Sequence, residues 1–210
     1  MSPRPPTTRR LELAAALLTA LGKIVFMDTL DWRAPYIATA VLGWIGYVVY
    51  QSRREPGVLR YWGLKDTDFR RSSLRLLPVA LLLTAAFFAA GSYFQTSVAD
   101  RTLLYVLLLY PIWGIVQQFI VLGVFARNLE DGFGGRVPAW AVIFITAALF
   151  GLIHYPFPLL MLATFFLGLV YCWLFLRGYS LIALGIYHGL LGGVFFYTVL
   201  GRNPWVEAFG

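Results

Sequence analysis

Charge is scarce in this sequence. Only 13% of its 210 residues are Asp, Glu, Lys or Arg, about half the share of an ordinary soluble domain, while 60% are hydrophobic. That scarcity excludes a water-soluble globule, because a chain this size leaves much of its surface exposed and cannot hide so much apolar area. Hydrocarbon is the solvent that suits the composition. Cysteine is nearly missing too. The single Cys172 forms no intrachain disulfide, says nothing of redox compartment, and reads as a small core or lipid-facing residue. Acidic residues number ten, Glu12, Asp28, Asp31, Glu55, Asp66, Asp68, Asp100, Glu130, Asp131 and Glu207, and none falls inside the last four apolar segments. Histidine is limited to His154 and His188.

Apolar segments of a length to cross a bilayer, about 20 residues each, run near 11–28, 35–50, 77–94, 103–126, 139–155, 158–176 and 180–200. They predict an all-α polytopic membrane bundle of about seven transmembrane helices around a conical or central polar cavity. Trp and Tyr near the segment ends fit interfacial belts. One transmembrane domain is expected over 11–204, its motif-bearing core at 77–200. A disordered cytoplasmic tail is expected at 1–10, where Ser2-Pro3-Arg4-Pro5-Pro6 opens the chain, and a short tail at 205–210. The first segment is the least apolar, with Glu12 at its start and Lys23 within it. Arg9 and Arg10 before it resemble a signal peptide, but no small-residue cleavage site follows, so an uncleaved helix is favoured.

The formal net charge of +7 sits between the apolar segments, where it faces anionic headgroups and sets orientation. No nucleic-acid partner is expected, since no basic, aromatic-lined soluble module is present. The connection from Gln51 to Leu76 holds Arg53, Arg54, Arg60, Lys65, Arg70, Arg71 and Arg75 against Glu55, Asp66 and Asp68. The excess of positive charge predicts a cytoplasmic position. The amino terminus, with Arg4, Arg9 and Arg10, then lies inside as well, as do Arg127, Arg136 and Arg177, and the carboxyl terminus lies outside. A bacterial plasma membrane is the expected location. Val58, Leu59, Tyr61, Trp62 and Leu64 offer a second reading of that connection, an amphipathic stretch lying in the interface.

Polar groups within a bilayer cost free energy unless paired, so each is a candidate for function. Three places qualify: Gln117-Gln118, the stretch Phe150-Gly151-Leu152-Ile153-His154, and His188 within a glycine-rich segment. Singly, each has a plain structural reading. Glutamines hydrogen-bond neighbouring helices at about 0.6–2 kcal/mol per contact, and a histidine is often a satisfied core group. Together they point to a shared polar cluster. Gly185, Gly189 and Gly193 recur every four residues and line one face, which lets another backbone approach and brings His188 toward a neighbouring helix. Phe150 and His154 are also four apart, so the phenyl ring packs on the imidazole.

In order and separation these segments resemble the three motifs of the membrane-embedded CAAX prenyl endopeptidases and bacteriocin-processing or self-immunity proteins, over about residues 77–200. That family typically shows Glu-Glu-x-x-x-Arg, then Phe-x-x-x-His, then His-x-x-x-Asn. Phe150 to His154 keeps the second motif and His188 the histidine of the third. Gln117 and Gln118 stand in the places of the two glutamates, Leu122 in that of the arginine and Gly192 in that of the asparagine. The resemblance implies peptide-bond hydrolysis within the membrane, with a glutamate and histidines activating water. A glutamine amide accepts no proton near neutral pH, and general-base catalysis needs a group that does.

The expected function is therefore a homologue with lost or altered proteolysis that binds a membrane peptide, a prenylated or otherwise lipidated chain, or a partner membrane protein. Two alternatives stay open: an active intramembrane peptidase using His154 and His188, the former resting on the imidazole's suitability as a base, and a small transporter or channel component. No cofactor is expected. Zinc is the one metal to consider, held by His154 and His188, although a catalytic zinc site commonly takes three protein ligands and an amide oxygen is a poor third. A simple ladder of helices sets the three motifs at different depths. Breaks or bends at Pro111, Pro156 and Pro158 are expected to compensate.

Overall fold

The computed structural model describes residues 5–65, 67–132 and 136–209. Every regular element among them is helical. Helix α1 (Pro6–Gly22) starts with proline in its first turn, where the missing N–H costs nothing. It continues as a π-helical turn, Lys23–Thr29, closed at Asp31, whose φ is 56°. Helix α2 (Arg33–Arg54) ends on Arg53 and Arg54, cations that suit the negative end of the helix dipole. Gly57, at φ 92°, turns the chain into the short α3 (Val58–Tyr61). The Asp68 carboxylate accepts from the Arg71 backbone N–H at 2.8 Å and caps α4 (Phe69–Tyr93).

Helix α5 (Thr102–Gln118) passes through Pro111, runs into a second π-helical stretch at Phe119–Ala126, and is followed by α6 (Arg127–Gly132). After α7 (Ala139–Leu152) a tight connection carries Pro156 in a cis peptide, and Pro158 opens α8 (Pro158–Leu176). Helices α9 (Leu181–Thr198) and α10 (Pro204–Phe209) complete the described chain.

Among the described residues four stretches are long and apolar enough to cross a membrane: Phe69–Tyr93, Thr102–Gly132, Pro158–Leu176 and Leu181–Thr198, with Ala139–Leu152 apolar but shorter. Helix α1, at 17 residues, and helix α2 are not among them.

Several sequence expectations need correction. The tail expected over 1–10 is helical from Pro6, and Arg4, with the rest of residues 1–4, lies outside the described residues. The carboxyl-terminal tail is helical through Phe209. The basic connection is shorter than expected because α4 begins at Phe69; Asp66 lies outside the described residues. Its apolar residues do not form an interfacial face: Val58 and Trp62 are 1% and 0% exposed, so the stretch packs inward. Pro111 interrupts nothing. It sits inside α5, and the irregular backbone comes eight residues later, at Phe119.

The chain divides into two compact units. The first comprises Met1–Thr67 and Gln118–Leu181. Within it Trp44, Tyr47, Trp62 and Phe119 make an aromatic cluster with centroids 5.1–5.7 Å apart. Helices α7 and α8 pack closely where Gly168 meets Ala147, since a Cβ there would stand 2.9 Å from the Ala147 Cα. The second unit comprises Asp68–Gln117 and Ile182–Gly210. There α9 docks on α4 through Tyr187, whose hydroxyl donates to the Ser73 carbonyl at 3.0 Å, and through Phe87 against Phe195 at 5.1 Å.

Candidate functional site

The glycine face of α9 sets the geometry of the second unit. A Cβ on Gly189 would stand 2.5 Å from the Pro111 Cα and 2.6 Å from the Tyr110 carbonyl oxygen, and one on Gly185 would stand 2.5 Å from the Ile115 Cα. Gly114 of α5 answers from the other side, where a Cβ would meet the Gly189 nitrogen at 2.7 Å. Glycines on both helices therefore let the two backbones touch. His188, beside Gly189, is carried with them, and its Nε2 lies 3.0 Å from the Gln117 Oε1.

An amide oxygen only accepts, so this bond places a proton on Nε2 and fixes the tautomer of His188. The imidazole is buried at 7% exposure. Gly192, at the position of the family asparagine, faces the Tyr110 ring, with a Cβ there 3.5 Å from the ring edge.

The remaining motif residues lie in the first unit. His154 follows α7 in the connection to α8. Its Nδ1 is 2.8 Å from the Phe150 carbonyl oxygen, and its ring stands nearly perpendicular to the Phe150 ring, at 79° and 5.3 Å. The ring contact is the four-residue pairing read from the sequence, and the backbone bond adds to it. They place the Nδ1 proton toward the backbone and present the opposite edge of the ring. Phe150 is fully buried, as is Leu122. Leu122 belongs to the π-helical stretch that follows the glutamine pair, a backbone irregularity often found at functional sites. Gln118 is 1% exposed, and its Nε2 has no hydrogen-bond partner among the described residues.

Adjacent glutamines thus have different surroundings: Gln117 pairs with His188 in the second unit, while Gln118 belongs to the first. Among the described residues no group of three or more His, Cys, Asp or Glu stands together to hold a metal ion.

Sequence reasoning passed over one polar residue. Glu12, read only as a blemish in the first apolar segment, is 3% exposed. Its Oε1 accepts from the Tyr47 hydroxyl and its Oε2 from the Asn128 amide, both at 2.6 Å. The signal was available, since a carboxylate within an apolar helix is costly wherever it occurs.

Residues 99–194 match the family model described as Rce1-like, type II CAAX prenyl endopeptidase Rce1-like. No curated protein and no solved structure matches the chain. The matched region covers the glutamine pair, Phe150 to His154, and His188 in the order the motifs require. Apolar helices and the match agree: this chain is a multi-pass membrane protein whose residues 99–194 are similar to the Rce1-like type II CAAX prenyl endopeptidases.

Proposed function

We propose that this protein is a CAAX-type endopeptidase homologue that has given up peptide hydrolysis and binds a membrane-embedded peptide or lipidated chain. One observation carries the reading: the group held 3.0 Å from His188 Nε2 is the Gln117 amide oxygen, where the family has a carboxylate. A glutamate so placed would draw a proton from water or from the imidazole. The amide does neither, and it occupies the nitrogen that would otherwise act as base. What remains is a pair suited to hold a peptide by hydrogen bonds. A metal plays no part in this reading, and the lipid bilayer is its setting. The rest of the topology belongs to the same proposal: about seven transmembrane helices, a cytoplasmic amino terminus, an outward carboxyl terminus, and a bacterial plasma membrane.

The test uses purified protein in detergent with a prenylated CAAX peptide, products read by mass spectrometry and retention by fluorescence anisotropy. Retention without cleavage is expected, and the unprenylated peptide should be retained less. Gln117→Glu, alone and with Leu122→Arg, should gain detectable cleavage. The competing reading, hydrolysis by His154 and His188, follows from the family match. Cleavage by the unaltered protein that disappears in both His154→Ala and His188→Ala would establish it.

A further inference from the structure

A second feature stands apart from the Gln117–His188 pair. Between α1 and α2, within the first unit, lies a cavity of about 430 Å³, within the usual range of small-molecule sites, about 300–1,000 Å³. Leu11, Ala15, Ala40 and Gly43 supply its apolar walls. It is an open trough, since Leu11 is 71% exposed. Leu18 and Leu21 of α1 and Leu42 and Ile45 of α2 are exposed as well, so both helices offer apolar surface to hydrocarbon.

The polar groups along the trough are already engaged inside the protein. Trp44 Nε1 donates to Thr19 Oγ1 at 3.2 Å, and the Thr19 hydroxyl donates to the Ala15 carbonyl at 2.8 Å. Thr39 donates to the Pro35 carbonyl at 2.8 Å, and Tyr47 to Glu12 at 2.6 Å. A polar ligand group entering here would give up its hydration for bonds that are already made. The occupant is therefore hydrocarbon, and size narrows it further. An α-helix with its side chains is about 10 Å across, so one turn fills about 400 Å³. The trough would take in a single turn of a partner helix and no more, whereas a slender alkyl chain lies along it.

Charge indicates what that chain is attached to. Arg54 ends α2, seven residues beyond Tyr47. Two turns apart, the pair share a face of the helix, with Arg54 about 10 Å further along the axis. Arg54 is exposed, and its guanidinium lies 4.9 Å from the centre of the Tyr50 ring. Arg53 beside it is exposed too. A guanidinium suits a phosphate, which it can grip with two parallel hydrogen bonds.

We propose that the α1–α2 trough is a binding site for an anionic phospholipid, with one acyl chain lying against Gly43 and the phosphate on Arg54. The site is independent of whether the chain cleaves peptides.

Two variants separate the halves of the site. A Cβ on Gly43 meets nothing within 4 Å, so Gly43→Leu fills the trough from a helical position without forcing the fold. Arg54→Gln removes the charge at an exposed position. The full chain in detergent is titrated with dioleoyl phosphatidylglycerol and, separately, dioleoyl phosphatidylcholine, and retained lipids are counted by native mass spectrometry. One phosphatidylglycerol per chain should be retained saturably. It should bind about fivefold more tightly than phosphatidylcholine, which is what one basic residue contributes at an anionic lipid surface. Arg54→Gln should erase that preference and Arg54→Lys should keep it. Gly43→Leu should lose the retained lipid of either kind, with its thermal melt not lowered. A farnesylated peptide added in excess should leave the phosphatidylglycerol in place.

Retention without saturation, equal affinity for the two lipids, a preference that survives Arg54→Gln, or undiminished retention in Gly43→Leu would each overturn the proposal. Displacement of the lipid by the farnesylated peptide would give the trough to the peptide's own chain and overturn it as well.

Discussion

Asp100 lies outside the membrane-spanning helices, in the connection between α4 and α5, and it organises that connection by accepting twice from Thr102. Its Oδ1 takes the Thr102 backbone N–H at 2.8 Å and also the Thr102 hydroxyl. That hydroxyl oxygen in turn lies 2.6 Å from the Tyr197 hydroxyl and accepts from Asn203 Nδ2 at 2.9 Å, so one carboxylate anchors a network reaching the last helix. The Thr102 side chain first, and its backbone N–H second, hold the Asp100 carboxyl below its ordinary value of 3.8. A folded value below the unfolded one means that the contribution to stability is complete above that ordinary value. It is lost as pH falls through the folded value. Hydrogen exchange of residues 96–103 should therefore accelerate below about pH 4 in the unaltered protein. In Asp100→Asn it should be faster at neutral pH and indifferent to acid, and acid-independent exchange in the unaltered chain would contradict the assignment. Residues of this kind were poorly legible beforehand. Phe150 and His154 could be paired from their spacing because they stand four residues apart where α7 runs out. Glu12 could not, because Asn128 comes from 116 positions away, and only the tertiary fold turns an apparent blemish in α1 into a buried, doubly bonded carboxylate.

Helices were easier to read than side chains, for a reason visible in α4, α8 and α9. A stretch that must satisfy its own backbone in hydrocarbon has helix as its only local solution, so apolar length alone locates it. Ends and irregularities depend on finer chemistry. The Asp68 cap moves the start of α4 to Phe69, well before the continuous apolar run that begins at Leu76. The π-helical stretch at Phe119–Ala126 has no signature in its uniformly apolar sequence, and Pro111, the residue that signals a break, is accommodated within a continuous helix. The glycine face of α9 was legible because its four-residue spacing is itself the packing rule. Glycines therefore give a paired test of how closely these elements approach. Gly189→Ala sets a methyl group against the backbone of Pro111 and Tyr110, and should cost about 1–3 kcal/mol, the usual penalty of overpacking. Gly43→Ala meets open space and should gain about 0.5–1 kcal/mol, since alanine is the better helix former. Thermal unfolding in detergent separates the two. Equal effects of the same sign would mean that the α5–α9 approach is looser than the bond between His188 and Gln117 requires.

Charge governs how the chain as a unit enters the bilayer. Arg53, Arg54, Arg60, Lys65, Arg70, Arg71 and Arg75 crowd the connection from α2 to α4 and the helix ends beside it, and no comparable basic cluster lies between α4 and α5, where Arg101 stands beside Asp100. Insertion retains clustered Lys and Arg on the cytoplasmic side, an effect strongest in short connections near helix ends. Acidic residues contribute little to that bias, so Glu55 and Asp68 do not offset it. The orientation expected from the sequence rests on a sum over many cations, whereas the polar sites rest on single long-range pairings. A cysteine-free background, Cys172→Ala, allows single reporters to be placed. Glu207→Cys should react with a membrane-impermeant maleimide added to intact cells. Pro56→Cys, in the basic connection and exposed, should react only after the membrane is permeabilised. Replacing Arg53, Arg54, Arg60, Arg70 and Arg71 together by glutamine removes most of the bias, and both reporters should then label partially from outside as the population divides between two orientations. Labelling of Pro56→Cys in intact cells before any arginine is changed would reverse the assignment, and with it the side of the membrane from which a peptide substrate would reach His188.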